Sequence, residues 1–477
     1  MKLYNFIKFI DHKKQFIFNK KLKIKYLTKN SKLVRKNSIY IVDYKKKIKK
    51  NYLLEAKKNG AVFILTNKNI RNSPIPYVKS KNIDEDIKKI LYKLKPNKPK
   101  NIIGITGTNG KSSVLLFLSS ILSNLKIETS SIGTLGYYKN LKYICNSNLT
   151  TPEYEEIYQY SHSLRPNKNV FVFEVSSHAI ALKRLNNILL DIAVLTNITR
   201  DHLDFHGNFK NYQKTKFNLF IKHLKSNGYA VLNNKIKDIN LLKKIIKQKK
   251  IKITTYGNQA SDVYCFIKNN ITKLKIKSKI YNINFKPYAN FELDNLSCAI
   301  SCCIQLGISE SSIIKSINKI KRPQGRMELI KKLKNGSKVF IDFAHTPDAL
   351  ENVLKSQILE TNEISLVFGC GGNRDYGKRR KMGLIANKYA KNIYVTDDNP
   401  RYENPNKIRE EILKYCKRAK NISNRKDAIL SSLKNLKSKS ILIIAGKGHE
   451  KFQIIKNKKI KFDDAEVVKN CIKKLKL

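Results

Sequence analysis

Short runs of apolar residues, separated by polar and helix-like stretches, recur along most of the chain. Two of the first runs, residues 38–42 and 61–65, are typical of strands, with a helix between them over residues 52–59. Runs that are apolar throughout are typical of strands buried on both faces of a parallel sheet. Further runs of this kind lie at residues 101–105, 170–175, 192–197, 339–343, 364–369, 392–396 and 441–446. The pattern predicts an α/β protein.

Two breaks in the pattern divide the chain. One is the polar segment Lys95-Pro-Asn-Lys-Pro-Lys, and the other is Arg322-Pro323. Proline-rich polar segments commonly join domains, and 477 residues are too many for one core. We expect three domains: residues 1–97; a central domain over 98–322 with a parallel sheet and a phosphate-binding loop; and a Rossmann-like α/β domain over 323–477. In such domains the site lies at the carboxyl ends of the strands.

The stretch GITGTNGKSS, Gly104 to Ser113, follows one predicted strand and precedes a predicted helix over residues 114–122. A strand, a glycine turn and a helix that starts with Lys-Ser form a cradle for phosphate. Backbone N–H groups hold the anion, Lys111 reaches the terminal phosphates, and Ser112 can bind Mg²⁺. Ile105 stands where the general pattern has its first glycine. A plain turn between strand and helix is the alternative. The predicted nucleotide-binding residues are Thr106, Gly107, Thr108, Asn109, Gly110, Lys111 and Ser112.

The chain carries 96 Lys and Arg against 36 Asp and Glu, a net charge of +60. Clustered lysine would indicate a nucleic-acid-binding protein, and a basic P-loop ATPase of that kind is one hypothesis. The lysine runs are scattered between apolar segments, which favours a lysine-rich sequence with charge spread over solvated surfaces. Neither an aromatic RNA-binding signature nor a helix-turn-helix pattern is present. We therefore expect no specific nucleic-acid partner, although binding to polyanions should be salt-sensitive.

The eight cysteines show no zinc-binding spacing, so we expect reduced and mostly buried thiols. No run of 18 apolar residues exists, so no membrane insertion is expected. Residues 1–14 have charges within any apolar stretch and do not resemble a signal peptide. A cytoplasmic protein is the expectation.

Two segments of the central domain carry polar chemistry after strands. Glu174 ends one apolar run, and a carboxylate at a strand tip beside a phosphate loop is suited to holding Mg²⁺. The segment TNITRDHLDFH follows the next run and contains His202 and His206. Two histidines four residues apart can indicate zinc, but the H-E-x-x-H pattern is absent. A helix capped by Asp201, with two half-exposed histidines, is the alternative.

Eight motifs occur in order over residues 101–453: GITGTNGKSS, EVSSHA, TNITRDHLDFHG, YxxxKxxLF from Tyr212, GRME, DFAHTPDAL, VFGCGGNRD and AGKGHE. Together they resemble the Mur ligase family, the ATP-dependent amino-acid-adding enzymes of peptidoglycan synthesis. The resemblance is closest to the members that add meso-diaminopimelate to UDP-N-acetylmuramoyl-L-alanyl-D-glutamate. It implies an N-terminal domain for the UDP-substrate, a central ATPase domain and a C-terminal domain for the amino acid, in an enzyme that we expect to be a monomer.

The resemblance also implies a reaction and its catalytic residues. ATP would phosphorylate the substrate carboxyl, and an amine would attack the resulting acyl phosphate. The implied catalytic residues are Lys111, Glu174, His202 and Lys216. Ser112, Glu174, His202 and Lys216 would bind Mg²⁺, with Lys216 carbamylated to N6-carboxylysine. Composition alone would make Lys216 one more surface lysine.

Further substrate contacts are implied by the same resemblance. ATP would contact Asn295, Arg326 and Asp342, for which the alternatives are a helix cap at Asn295 and an interdomain ion pair of the other two. The UDP-substrate would contact Ser31, Thr150, Thr151, Ser176 and Arg184. The chain departs from the family pattern with Glu292 near Asn295, with Leu182 in place of a glutamine, around Ser31, and in the loop after residues 38–42. A plain turn is equally possible for Ser31.

The amino acid would be chosen at Asp398-Asn399-Pro400-Arg401, because the diaminopimelate-adding members of the family carry DNPR here. A two-pronged arginine can hold the second carboxylate of diaminopimelate, where lysine offers only an ammonium group. Arg374, Gly446 and Glu450 match the remaining contacts, and Lys447 and His449 would set the loop. The alternatives are an Asx-Pro turn at this position, and a related Mur-type or folylpolyglutamate synthase-like ligase with another amino acid or acceptor.

Overall fold

The protein is described by a computed structural model covering residues 23–43, 50–147, 149–163, 169–186 and 188–477. The segment compared with signal peptides, residues 1–14, lies outside these ranges. Most of the loop after residues 38–42, where the chain departs from the family pattern, also lies outside them.

Strands and helices alternate as the apolar runs predicted, and each predicted strand appears within two residues of its expected bounds. The strands are β1 (Tyr26–Thr28), β2 (Ser38–Val42), β3 (Ala61–Thr66), β4 (Tyr77–Lys79), β5 (Asn101–Thr106), β6 (Glu128–Gly133), β7 (Gly136–Lys139), β8 (Lys142–Cys145), β9 (Asn169–Glu174), β10 (Leu190–Leu195), β11 (Leu224–Asn233), β12 (Lys252–Tyr256), β13 (Val263–Lys268), β14 (Ile271–Ile276), β15 (Lys279–Asn282), β16 (Glu328–Lys332), β17 (Lys338–Asp342), β18 (Ile364–Phe368), β19 (Asn392–Val395), β20 (Lys420–Asn421), β21 (Ile441–Ala445), β22 (Phe452–Ile455) and β23 (Lys458–Lys461).

The α-helices lie between these strands. They are α1 (Lys50–Lys58), α2 (Ile83–Leu94), α3 (Lys111–Asn124), α4 (Tyr154–Ser161), α5 (Ser177–Ala181), α6 (Leu203–His206), α7 (Phe209–Lys222), α8 (Ile239–Gln248), α9 (Asn290–Gln305), α10 (Glu310–Ile317), α11 (Pro347–Ile358), α12 (Gly377–Tyr389), α13 (Pro405–Leu413), α14 (Arg425–Lys434) and α15 (Asp464–Leu475). Within the described ranges, none of the helices is both long and apolar enough to cross a membrane.

The chain divides into two compact units. The first comprises residues 1–103 and 126–191, and the second comprises residues 104–125 and 192–477. This division into two units does not test the three predicted domains, which stay a prediction.

A parallel sheet in the order β1-β2-β3-β4 opens the first unit. Along β2, Ile39 and Ile41 enter an apolar cluster with α2, whereas Tyr40 and Val42 enter another with α1. Successive side chains of a strand point to opposite faces, so a strand covered on both faces is apolar throughout. This is why β2 shows no apolar–polar alternation.

Helix α4 protects the edge strand β1 with side-chain amide and carboxylate groups. Leu27 N–H donates to Gln159 Oε1 at 2.9 Å, and Gln159 Nε2 donates to Leu27 O at 2.7 Å. Lys29 N–H donates to Glu155 Oε1 at 3.0 Å. Backbone groups that no neighbouring strand satisfies are therefore satisfied by α4, which also covers an edge open to unwanted pairing.

The central part of the second unit adds antiparallel strands to a parallel arrangement. Strands β11 and β12 pair in parallel, whereas β13, β14 and β15 form an antiparallel meander. The predicted parallel pairing is present, and the antiparallel strands that extend it were not predicted. The β13–β14 turn is Asn269-Asn270, whose φ angles of 52° and 58° are those of a tight hairpin turn, and asparagine tolerates them better than most residues.

The C-terminal sheet has the order β16-β17-β21-β18-β19-β20, and all its neighbouring strands are parallel except the β16–β17 pair. Phe340 belongs to the apolar cluster on one face, and Val339 and Ile341 belong to the cluster on the other. Both faces are covered, as in the predicted Rossmann-like domain. The loops after β17, β18, β19 and β21 start at the same edge of this sheet.

Candidate active site

The nucleotide loop joins β5 to α3 and requires glycine at two positions. Gly107 has φ +150° and Gly110 has φ +84°, both in the region that favours glycine. An added Cβ at Gly107 would lie 1.8 Å from Thr196 Oγ1. Lys111 begins α3 and donates from Nζ to Gly107 O and Thr108 O, each at 2.8 Å. Its charge therefore lies over the loop whose amides are predicted to hold phosphate.

The segment after β10 holds this loop in place. Thr196 Oγ1 donates to Asn109 O at 2.6 Å, and Asn109 N–H donates to Asn197 Oδ1 at 2.8 Å. Thr108 N–H donates to Asn197 O at 3.0 Å. The loop therefore has a fixed shape, which lowers the entropic cost of binding an anion.

Lys216 on α7 is buried under the same loop. The residue is 1% exposed, and Nζ donates to Gly107 O at 2.9 Å and lies 4.6 Å from the centre of the Tyr212 ring. Burial, and secondly the charge of Lys111, lower the pKa of Lys216 well below its usual value, although Asp201 acts in the opposite direction. Lys216 is therefore not the surface lysine that composition suggested.

His202 and Asp201 form a pair at the start of α6. His202 Nε2 lies 3.3 Å from Asp201 Oδ2, and His202 has φ +52°. Burial alone would raise the Asp201 pKa, but the neighbouring charges of His202, His345 and Lys111 together lower it. Asp201 is not the helix cap proposed as an alternative, because His202 occupies that position and makes no side-chain cap bond, while His206 is buried.

A cavity of about 80 Å³ adjoins the nucleotide loop. It brings together the predicted contacts Asn109, Gly110, Asn295, Arg326 and Asp342. Asn295 lies inside α9, so the alternative of a helix cap was wrong.

The two charged residues of this cavity are held in different ways. Arg326 stacks over the Phe343 ring at 4.3 Å. Both oxygens of Asp342 accept backbone N–H bonds, from Met327 at 2.6 Å and Ala344 at 2.7 Å. Burial raises the pKa of Asp342 to about 6 against the opposing effect of Arg326. Glu292, where the chain departs from the family pattern near Asn295, is buried, and its Oε1 lies 3.0 Å from Arg322 Nε. Its carboxylate is therefore used in an internal ion pair.

A second cavity, of about 170 Å³, is lined by loops of the C-terminal sheet and by the segment around His202. The predicted amino-acid contacts that line it are Arg374, Asp398, Asn399, Arg401, Gly446 and Glu450. Pro400 is buried behind them, and its carbonyl oxygen accepts from Glu403 N–H at 3.1 Å. The predicted contacts thus give the cavity two guanidinium groups and two carboxylates. Further charges on its lining come from Arg200, Lys378, Asp201, Asp204 and Asp375.

Arg401 is held in an unusual backbone conformation. Its φ is +52°, and its N–H donates to Ile454 O at 3.0 Å, so the β22–β23 hairpin supports it. Its guanidinium NH1 donates to Gly372 O at 3.0 Å. Burial and the neighbouring Arg374 lower the pKa of Arg401, while Asp398 and Glu450 act in the opposite direction.

The residues predicted for the UDP-substrate lie in the first unit, where four of them and Glu174 form one network. Thr151 Oγ1 donates to Glu174 O at 2.9 Å and accepts from Ser176 N–H at 2.9 Å. Arg184 NH1 donates to Thr151 O at 3.3 Å. Thr134 donates to Glu174 through its N–H and hydroxyl, and its hydroxyl also lies 3.2 Å from that of Thr150.

Ser31 is the exception among these residues. It lies in a 3-10 turn, is 5% exposed, and donates from its hydroxyl to Glu55 Oε2 at 2.5 Å. The neighbouring cavity of about 330 Å³ is lined by Asn30 and Glu153, not by Ser31. This geometry favours the plain turn for Ser31. Leu182, which replaces a glutamine of the family, is 53% exposed.

The described residues do not form a ready-made cluster of acidic or histidine ligands for a metal ion. Within the described part of the chain, no group of three or more His, Cys, Asp or Glu side chains is placed to hold a metal ion. The crowding of Lys111 and Lys216 at Gly107 O does fit carbamylation, because a carboxyl group on Lys216 would replace a repulsive pair by an attractive one and would add oxygen ligands suited to Mg²⁺.

Two residues that the motifs contained, Asp348 and His345, had no assigned place in the site, and a third, Lys447, was expected only to set its loop. Asp348, at the start of α11, accepts from Asn109 Nδ2 at 3.1 Å and Thr199 Oγ1 at 3.2 Å, so it ties the nucleotide loop to the C-terminal part of the chain. His345 lines the second cavity, and burial lowers its pKa to about 4. Lys447 lies behind Glu450 and is buried. DFAHTPDAL and AGKGHE contained these residues, but no spacing rule indicated their partners. Thr196 and Asn197, which hold the nucleotide loop, were missed for the same reason.

Known proteins match the chain over nearly its whole length. A family model described as the Mur ligase middle domain matches residues 105–303, and one described as the Mur ligase, glutamate ligase domain matches residues 325–448. A curated protein from Rickettsia rickettsii, named UDP-N-acetylmuramoyl-L-alanyl-D-glutamate--2,6-diaminopimelate ligase, is 38% identical over 470 residues, 94% of this chain and 96% of its own length.

Solved structures are similar as well. A solved structure of a UDP-N-acetylmuramoyl-L-alanyl-D-glutamate--2,6-diaminopimelate ligase has a TM-score of 0.62 and 26% identity, and the alignment covers 99% of each chain. A MurF ligase from Thermotoga maritima in complex with ADP has a TM-score of 0.68, covers 96% of this chain and 99% of its own, and is 18% identical, which speaks for the fold alone.

The family matches, together with a nucleotide loop and a second, charged cavity in one α/β unit, place this protein in the class of ATP-dependent ligases. The matches give the family: the chain belongs to the Mur ligase family.

Replacing Gly110 by alanine should weaken nucleotide binding through Asn295. The added Cβ would lie 2.6 Å from Asn295 Oδ1 and displace that side chain. We expect the dissociation constant of a non-hydrolysable ATP analogue, measured by calorimetry, to rise about tenfold, the effect of about one lost hydrogen bond.

Gly307→Ala is the matched control. Gly307 has φ +79°, close to that of Gly110, and an added Cβ there would meet nothing within 4 Å. Both variants should lose about 1–2 kcal/mol of unfolding free energy because of the left-handed backbone. Equal nucleotide affinity in the two variants would contradict the role given to Asn295.

Proposed function

We propose that this chain is an ATP-dependent amide ligase that adds meso-2,6-diaminopimelate to UDP-N-acetylmuramoyl-L-alanyl-D-glutamate in peptidoglycan synthesis. Relatives that carry this ligase name and match 94% of the chain support the proposal. In the proposed organisation, residues 1–97 bind the UDP-substrate, residues 98–322 bind ATP and residues 323–477 bind the amino acid.

The observation that carries the proposal is the charge pattern of the second cavity. Arg374 and Arg401 line it together with Asp398 and Glu450. Diaminopimelate has two carboxylates and two ammonium groups, so it can use both signs of charge, and a guanidinium group suits a carboxylate geometrically. An amino acid with a single carboxylate would leave one of the two guanidinium groups without an anionic ligand.

The reaction proceeds through an acyl phosphate. The γ-phosphoryl group passes from ATP to the terminal carboxyl of the UDP-substrate, and ADP leaves. The amine of diaminopimelate attacks the acyl carbon through a tetrahedral intermediate, and inorganic phosphate leaves. Lys111, held over the loop, stabilises negative charge on the phosphoryl oxygens.

Lys216 acts in its carbamylated form in this proposal. Its lowered pKa leaves the amine neutral, and hence nucleophilic, at a lower pH than an ordinary lysine. The amine nitrogen attacks the carbon of CO₂, one proton is released, and the product carries a negative charge. Ser112, His202 and Lys216 are the residues of the second unit that we propose hold Mg²⁺, and Glu174 of the first unit stays a predicted ligand. Bound Mg²⁺ supplies charge neutralisation for phosphoryl transfer.

The direct test is amide formation by the purified chain. With UDP-N-acetylmuramoyl-L-alanyl-D-glutamate, ATP and Mg²⁺, diaminopimelate should be consumed with a far higher kcat/KM than L-lysine, as measured by ADP release and mass spectrometry of the product. A preference for lysine would refute the assignment of the amino acid. ATP hydrolysis that depends on RNA or DNA, without the muramyl substrate, would refute the ligase itself.

Lys216→Ala should abolish activity, because it removes the carbamate. Short carboxylic acids such as formate should restore part of it by supplying the missing carboxylate. ¹³C NMR of the wild-type protein in ¹³CO₂ should show a carbamate signal that the variant lacks. A fully active variant, or a wild type without the signal, would contradict carbamylation.

Arg401→Ala should raise the KM for diaminopimelate about a hundredfold, the loss expected for a hydrogen-bonded charge pair. The KM for ATP should stay unchanged. Arg401→Lys keeps the charge but not the two-pronged geometry and should recover only part of the loss. Both variants meet the same positive φ, so their difference reports on the guanidinium group. Equal losses for ATP and diaminopimelate would instead indicate a misfolded domain.

A further inference from the structure

A buried lysine lies behind the amino-acid cavity. Lys447 follows β21, in the segment that also carries Gly446 and Glu450. It is fully buried, at 0% exposure, and it is not among the residues that line the cavity. A buried ammonium group is costly unless charged and hydrogen-bonding partners surround it, so its surroundings indicate its role.

Most partners of Lys447 are residues that line the cavity. Its Nζ lies 3.2 Å from Asn399 Oδ1, 3.2 Å from Glu450 Oε2, and 2.7 Å from Phe452 O. Asn399 completes the arrangement, because its Nδ2 donates to Glu450 Oε2 at 2.9 Å and its Oδ1 accepts from Ile454 N–H at 2.9 Å. Lys447, Asn399 and Glu450 form a closed triangle, which we call the Lys447 triangle.

The triangle leaves one carboxylate oxygen of Glu450 for a ligand. Both contacts within the triangle use Oε2. Oε1 makes no hydrogen bond to any described residue, and Glu450 lines the cavity. An ammonium group of the amino acid would therefore find Glu450 held in one orientation and with one free oxygen.

Lys447 also compensates a second carboxylate. Asp398 is 6% exposed, and its Oδ1 has no hydrogen-bond partner among the described residues. The Lys447 ammonium group lies 3.8 Å from this oxygen, within the range of an ion pair. Without Lys447, Asp398 and Glu450 would both face the amino acid without the one ammonium group that contacts them from behind. Such a pocket would be more favourable to a cationic amino acid.

Not every buried cation of this region has that relation to the cavity. Arg425 is also fully buried, but it pairs with Asp464 at 2.7 Å and donates to Ala445 O at 3.0 Å. Neither of those partners lines the cavity. Lys447 is different, because three of its partners, Asp398, Asn399 and Glu450, line it.

We propose that Lys447 is a positioning residue for amino-acid selection. By holding Glu450 and Asn399 and offsetting the charge of Asp398, it keeps the pocket selective for an amino acid with a second carboxylate. The proposal rests on the function proposed above, and it gives a role to a residue that does not itself touch the amino acid.

The test compares the wild-type chain with Lys447→Met and with Lys451→Met. Methionine is close to lysine in length but lacks the charge. Lys451 is an exposed lysine of the same segment, so the second variant is the matched control. The measurements are kcat and KM for diaminopimelate and for L-lysine, the KM for ATP, and the midpoint of thermal unfolding.

In Lys447→Met the KM for diaminopimelate should rise at least about tenfold, as expected when a charged hydrogen-bond partner is lost. The KM for ATP should stay unchanged, and the ratio of kcat/KM for diaminopimelate to that for lysine should fall several-fold. Lys451→Met should behave as wild type. An unchanged ratio, or equal losses for ATP and both amino acids together with a lower unfolding midpoint, would overturn the proposal in favour of a merely structural lysine.

A second pair of variants covers the case in which Lys447→Met does not fold because Asp398 is left uncompensated. Asp398→Asn and the double variant Lys447→Met/Asp398→Asn both lack that buried carboxylate. The double variant should discriminate diaminopimelate from lysine less well than Asp398→Asn alone, and equal discrimination would refute the proposal.

The wild-type arm separates this inference from the proposed function. If the wild type does not use diaminopimelate, the proposed function has failed. If it does and the Lys447 variants retain wild-type selectivity, only the inference has failed.

Discussion

The carbonyl oxygen of Gly107 accepts hydrogen bonds from two lysine amino groups, and the nucleotide loop depends on how this crowding of positive charge is relieved. Lys216 is 1% exposed, so water screens its repulsion from Lys111 poorly. A phosphate on one side of the loop and a carboxyl group added to Lys216 on the other would each relieve it. Thr196 and Asn197 meanwhile hold the loop in a fixed shape. The site is therefore built to attract anions before any has bound.

In the C-terminal part of the chain, unlike at the nucleotide loop, buried cations pair with carboxylates. Arg425 forms a fully buried pair with Asp464, and Arg379 on α12 pairs with Glu403 and Glu411. Removing one partner of a fully buried pair such as Arg425–Asp464 typically costs about 3–5 kcal/mol, so this contact holds its segments firmly. Glu403 follows the DNPR segment, and Arg425 binds the end of β21. The cavity walls are consequently positioned before an amino acid arrives, which favours selectivity over adaptability.

The sequence predicted the fold well where a local signal existed. Apolar runs such as Ser38–Val42 located the strands, because strands covered on both faces are apolar throughout. The nucleotide loop and the charged segments at strand ends were recognisable, since glycine turns and motifs are local. The antiparallel β13–β15 meander was missed, because Asn269-Asn270 is a weaker hairpin signal than a turn with glycine.

Long-range partners were beyond the sequence. Nothing in DFAHTPDAL indicates that Asp348 binds Asn109, which is 239 residues away. Burial of a single lysine is equally hidden in a lysine-rich chain, which is why Lys216 needed a family resemblance and Lys447 had no assigned partners. Ser31 shows the converse, because its motif suggested a ligand contact whereas its hydroxyl bonds to Glu55. Motifs indicate which residues can belong to a site, whereas their hydrogen-bond partners depend on how the chain packs.

Strand β15 ends the meander of the second unit and is only four residues long, with Lys279 at its start and Ile280 57% exposed. An open strand edge can recruit the same edge of another copy and start an aggregate. In a chain of net charge +60, two copies that approach through such edges repel each other. At low ionic strength this repulsion opposes the contact. The distance over which charges repel each other, the Debye length, falls to about 3 Å at 1 M salt. Concentrated salt should therefore remove this protection. The colloidal stability of the protein thus depends on ionic strength.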